Sequence, residues 1–238
     1  MKSTKTLFLS LSIFFLTCIA GETFAQGFMN LDFEAANPSG YSPGGGIPTS
    51  AAIPGWAAYY GTTTGTNQSS EIGYDFISLG GEMISLQDRN ATSSPLDFSV
   101  LPIQGNYSVL LQGPQPGLET SVAIGQTGTI PLGTQSLTFF GVLGGSVLGG
   151  SLQVTFNGQN ISYGAIGTGA NYTIYGANIA SYAGQTGELL FTTPVQTVGL
   201  LDNIQFSSSP VPEPSELALL ALGGLAYAWR YRQKFLRT

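Results

Sequence analysis

Between Gln26 and Pro210 the chain carries ten acidic side chains and one basic one, Arg89. The acids are Asp32, Glu34, Glu71, Asp75, Glu82, Asp88, Asp97, Glu119, Glu188 and Asp202, giving this stretch a formal charge of −9. A surface of that sign repels phosphate backbones, which excludes nucleic acid as a partner. Histidine, the commonest general base and metal ligand, is missing from the sequence. The one cysteine, Cys18, sits near the N-terminus, so the rest has neither a thiol nucleophile nor a disulfide. A glycosidase would need two carboxylates about 5–10 Å apart in a cleft, and no spacing here fixes such a pair. Phosphate-loop, cysteine-metal and nucleophile-elbow motifs are absent too. The side chains therefore point to binding rather than turnover, and the chain is not expected to be an enzyme.

The aromatic candidates for binding are Trp56, Tyr59 and Tyr60. Each offers a ring that can stack on a sugar. Trp56 follows Pro54-Gly55 at the start of a strand, where a large ring is expected to fill the core. Tyr59 and Tyr60 are adjacent and point to opposite faces of any strand, so at most one is buried with it.

The elements that position these residues read as strands. Runs with period two or β-branched character occur at 28–33, 83–86, 107–111, 121–126, 136–142, 151–156, 171–175, 188–192 and 198–206. In the run ending at Phe156, Leu152, Val154 and Phe156 share one face while Gln153 and Thr155 share the other. Asn157-Gly158 follows, a strong signal for a hairpin turn. Residues 37–49 read as a Gly/Pro-rich loop, and turn residues recur every 8–15 positions. The expectation is an all-β domain, an antiparallel β-sandwich spanning residues 26–206.

Both ends are organised differently. Lys2 and Lys5 precede an apolar run from Leu7 to Ala20, and Thr23-Phe24-Ala25 is a small-x-small site before Gln26. This is the three-part pattern of a signal peptide over residues 1–25, cut by signal peptidase between Ala25 and Gln26. At the other end a polar linker, 207–210, leads to Val211-Pro212-Glu213-Pro214-Ser215. An apolar helix is expected over 216–229, followed by the basic residues Arg230, Arg232, Lys234 and Arg237. Its apolar core rises only about 20 Å, short of a hydrocarbon layer of about 30 Å, so it suits a transient membrane stop. The basic end would remain cytoplasmic and leave the domain outside.

The ordered motif, helix and basic end of residues 211–238 resemble the PEP-CTERM sorting signal of Gram-negative bacteria. That resemblance implies recognition of Pro212, Glu213 and Pro214 by an exosortase. It further implies transient anchoring in the inner membrane, then transfer to the cell surface or matrix in association with exopolysaccharide or biofilm. Within the domain, Asn30-Leu31-Asp32-Phe33-Glu34, Ile53-Pro54-Gly55-Trp56, Tyr107-Ser108-Val109-Leu110-Leu111 and Leu201-Asp202-Asn203-Ile204 resemble phrases of a galactose-binding-like jelly roll. The jelly-roll resemblance implies first and last strands that lie together. It also implies that Glu34 and Asp202 could serve as ligands for a structural calcium; the alternative is that backbone amides cap both acids or water solvates them, and no cofactor is required by the chemistry. A polysaccharide is a candidate partner: from the residues themselves, an exposed Tyr59 or Tyr60 beside 62–70 could make a shallow stacking site, though the same stretch reads equally well as an inert loop.

Overall fold

A computed structural model describes residues 27–61, 68–78, 80–91, 102–115, 121–143, 151–194 and 196–211. In chain order the elements are β1 (Gly46–Pro48), α1 (Thr49–Ala52), β2 (Ala57–Gly61), β3 (Gln68–Ser69), β4 (Glu71–Tyr74), β5 (Met83–Asp88), β6 (Tyr107–Gln112) and β7 (Ser121–Thr129). They continue with β8 (Ser136–Leu143), β9 (Gln153–Phe156), β10 (Gln159–Asn160), β11 (Gly164–Thr168), β12 (Thr173–Asn178), a 3-10 turn (Ala180–Tyr182), β13 (Thr186–Thr193) and β14 (Val198–Ser207). Two sheets form a sandwich, as the alternating runs predict. One has eight strands in the order β1-β4-β5-β6-β14-β8-β12-β11; the other has six in the order β10-β9-β13-β7-β2-β3. The expected signal peptide and C-terminal helix lie outside the described residues. Among those that are described, no helix is long and apolar enough to cross a membrane.

The core lies between the sheets and is built from the inward positions of each strand. Phe33, Phe139, Phe156 and Phe191 are wholly buried there with Ile84, Leu86, Val109, Leu111 and Ile124. Their rings meet at angles: Trp56 lies 5.7 Å from Phe33, and Phe139 meets Phe191 edge-on at 5.4 Å. Offset and edge-to-face contacts of this kind add to the gain from burial alone. Asn157 and Gly158 both adopt positive φ, +49° and +74°, and join β9 to β10 through the predicted tight turn.

Two expectations need correction. The run at 28–33 is no strand: only Gly27 bridges, to Thr129, and the chain then turns at Asn30 and Phe33, whose φ values are +50° and +58°. A left-handed backbone cannot continue a ladder. The sandwich is also not wholly antiparallel, because β4 and β5 run parallel. The chain turns at Asp75, with φ +49°, and returns over the outer face, where the Phe76 amide donates to Ser85 Oγ at 3.2 Å. Gln112 Nε2 holds the same crossover by donating to the carbonyls of Ser78 and Gly81.

Although the N-terminal segment is not a strand, it does lie beside the last one, as expected. A bulge in β14 between Asp202 and Gln205 leaves the Ile204 amide free of the ladder, and Leu31 supplies its acceptor at 2.8 Å. Phe28 packs on Phe206 with ring centroids 5.1 Å apart.

Candidate functional site

The turn at residues 30–35 aims three groups at once. Asn30 accepts from Trp56 Nε1 through its carbonyl and from the Ala35 amide through Oδ1. Phe33 is driven into the core, and Glu34 is left facing the loop at 102–107. There the Glu34 carboxylate accepts from the amides of Asn106 and Tyr107 at 2.7 and 3.0 Å, and from Asn106 Nδ2 at 3.0 Å. Gly105, at φ +55°, is required beside it, because a Cβ there would collide with the carboxylate.

Asp202 approaches the same loop from β14. Its Oδ2 accepts from Ser108 Oγ at 2.7 Å and from the Gln104 amide at 3.1 Å, while Oδ1 accepts from the Asn203 amide. Burial raises its carboxyl to about 6; the hydrogen bonds from Ser108, Gln104 and Asn203 oppose the rise, and the charge of Glu34 adds to it. Arg89 completes the clamp by donating to the carbonyls of Gly105 and Pro102. Sequence reasoning gave this arginine no role, though its being the only basic side chain of the domain was the available signal.

Glu34 and Asp202 are thus brought to one loop, where their oxygens accept from backbone amides and from Asn106 and Ser108. No group of three Asp or Glu gathers to hold a metal ion among the described residues. Two further acids continue the seam along the sheet. Tyr74 donates to Asp88 Oδ2 at 2.7 Å, and burial pushes its phenol well up, reinforced by Asp88. Asp75, also buried, has its carboxyl raised by desolvation, against the lowering effect of the Asp88 amide.

The aromatic candidates separate as the strand period requires. Trp56 is buried between Phe33 and Phe191. Tyr60 turns inward: its hydroxyl accepts from the Ile84 amide at 2.8 Å and donates to the Ile84 carbonyl at 3.3 Å. That removes Tyr60 from the stacking candidates. Tyr59 lies half-buried on the outer face of the six-stranded sheet and donates to Glu188 Oε1 at 3.0 Å. Burial, then the hydrogen bond and charge of Glu188, push its phenol up to about 12. Tyr59, Leu190 and Glu188 fold over Gly125, where a Cβ would lie 2.8 Å from Leu190 and 3.2 Å from the Tyr59 ring. The Tyr59–Glu188 pair spans 129 residues, and no local pattern announces it.

The C-terminal exit is part of the folded domain. β14 runs through Ser207, one residue past the expected boundary, and Ser136 Oγ donates to the Ser209 carbonyl at 2.7 Å. Val211 then packs over Gly176 of β12 beside Ile166. Residues 210–233, which begin at this exit, match the PEP-CTERM protein-sorting motif. The chain carries a protein-sorting tail. Pro212, Glu213 and Pro214 of that tail, and the basic residues Arg230, Arg232, Lys234 and Arg237, lie outside the described residues, as do Ala25 and Gln26. No curated protein matches the chain.

Among solved structures, the chain is similar to a Stig cyclase, FisC from Fischerella sp. TAU, in complex with (3Z)-3-(1-methyl-2-pyrrolidinylidene)-3H-indole. The two share 12% identity at a TM-score of 0.46, over 79% of this chain and 98% of that one. It also resembles the enzymatically active domain of tailspike protein 4 of bacteriophage CBA120, at 12% identity and a TM-score of 0.33. That likeness covers 64% of this chain and 19% of the other.

Proposed function

We propose that this chain is an exported, non-catalytic protein of the cell surface or extracellular matrix. On this reading the sandwich, a jelly roll of the galactose-binding-like kind, is delivered through its C-terminal tail by an exosortase and works in association with exopolysaccharide. The carrying observation is the sorting motif at 210–233, joined without a free linker to the last strand of a β-sandwich. Support for a non-catalytic role comes from the acids at the 102–107 loop, whose oxygens hold backbone amides rather than face an open cleft. The test is the intact mass of the protein recovered from its native host. Wild type is expected to start at Gln26 and end near Pro212–Ser215, whereas Glu213→Ala is expected to retain its C-terminus through Thr238. Identical processing of the two would overturn exosortase sorting.

A second reading, a carbohydrate-binding domain, is favoured by one observation. Tyr59 presents a ring on the outer sheet face with an acid, Glu188, hydrogen-bonded to its hydroxyl. Aromatic rings and carboxylates in register are the groups that grip a pyranose. Saturable binding on a glycan array that is lost in Tyr59→Ala would establish it; binding unchanged by that substitution would remove this face from consideration.

A further inference from the structure

From Thr120 to Gly187 the sequence contains no charged residue. The fold gathers much of this stretch at one side of the eight-stranded sheet, where β8, β12 and β11 succeed one another beyond β14. Of the charged residues of that sheet and its loops, those on β4, β5 and the turns that follow them lie on the other side, while Asp202, buried on β14 opposite Phe140, and Glu34 are both bonded to the 102–107 loop. The outer face of the uncharged side is apolar. Phe140 and Tyr172 stack there with centroids 4.4 Å apart. Ile174 faces away from the core-packed Tyr175, its neighbour in β12. Ile166, at a bulge in β11, is 37% exposed. Leu132, 88% exposed, projects from the β7–β8 turn at the end where β14 finishes, Gln135 donating to the Ser207 carbonyl.

The chain leaves the domain on this same face, at Val211 over Gly176. Only residues 212–216 separate Val211 from the apolar run that begins at Leu217. Five residues reach at most about 17 Å even when fully extended. Once the apolar run enters a bilayer, the face carrying Val211 is therefore held at the lipid surface. The side carrying the acids of β4 and β5 then points away.

We propose that the outer face of β8, β12 and β11, with Leu132 at its rim, is a lipid-contacting surface that rests on the bilayer while the tail is membrane-inserted. This rests on the sorting reading above, and the test separates the two. The full chain carrying Cys18→Ser is reconstituted in phosphatidylcholine vesicles with one bimane-labelled cysteine at a time: Ile166→Cys, Leu132→Cys, Ser70→Cys on the far side, or Ala221→Cys in the tail. Brominated lipid is expected to quench the labels at 166 and 132 several-fold more than the label at 70, and to quench the tail label too. Quenching in the tail, with 166 and 132 no different from 70, overturns the lipid-contact proposal and leaves sorting intact. An unquenched tail label overturns the membrane reading itself. Shielding of 166 and 132 from aqueous iodide without lipid quenching would mean that a second copy of the chain covers the face, which also overturns the proposal.

Discussion

The two sides of the eight-stranded sheet are held together by different physics. Beyond β14, on β8, β12 and β11, order comes from rings and aliphatic side chains: Phe139 is sandwiched among Tyr163, Tyr175 and Phe191. Before β14, β5 and β6 bury Ile84, Leu86, Val109 and Leu111 in the same core, but the 102–107 loop beside them is ordered by the carboxylates of Glu34 and Asp202, which capture its amides and a hydroxyl. The first kind of contact carries no titrating charge and is indifferent to pH between 5 and 7. The second changes whenever a carboxyl titrates.

The largest expected effect lies on the aromatic side. Phe139→Ala empties a fully buried site and should cost about 3–5 kcal/mol, equally at pH 5 and pH 7, as read by urea unfolding. A strong pH dependence of that loss would break the comparison. On the acidic side, Glu34→Ala strips two amides, those of Asn106 and Tyr107, of their acceptor. The expected cost is about 1–2 kcal/mol, near the lower end for unpaired groups because water reaches this position. Hydrogen exchange should quicken at 106 and 107 and stay slow in β12; uniform quickening would mean that the loop is not a separate unit.

The smallest effect sharpens the contrast most. Burial lifts Asp202 to about 6, above the value of about 3.9 for an unfolded aspartate. The fold therefore disfavours the charged form. The contribution of Asp202 to stability is greatest below the unfolded value and is lost as pH rises from about 4 through about 6. Between pH 5 and pH 7 the loss due to Asp202 should be about 1 kcal/mol, with Asp75, raised in the same direction, adding to it. Asp202→Asn should flatten that slope in part, measured by denaturant midpoints at the two pH values. A slope unchanged by the substitution would show that Asp202 does not titrate as its burial requires.

Strands were legible where inward residues alternate with outward ones, as in β9, or form long β-branched and aromatic runs, as in β8 and β14. The short strands β1, β3, β4 and β11 were not, because they are two to five residues long and several are rich in glycine; their pairing is imposed by neighbours rather than by their own pattern. The segment at 28–33 misled because hydrophobic residues in a left-handed turn look in sequence like residues in a strand. For the site, the meeting of Glu34 and Asp202 followed from the proximity of the first and last segments. Capping by backbone amides was already open from the sequence, but the identity of the donors was not, since they come from residues 104–108, remote in sequence from both acids. Tyr59 and Tyr60 could be assigned to opposite faces, but only the tertiary partner Glu188 shows which one remains available on the surface.

The place of β14 carries a consequence for timing. It is the last strand among the described residues, yet it sits at the centre of its sheet, laddered to β6 on one side and β8 on the other. Long-range closures of this kind come late in folding. On the sorting reading proposed above, the eight-stranded sheet stays split until Ser207 has emerged from the translocation channel. The sorting tail follows directly behind, so the domain locks shut at the moment its address label reaches the membrane.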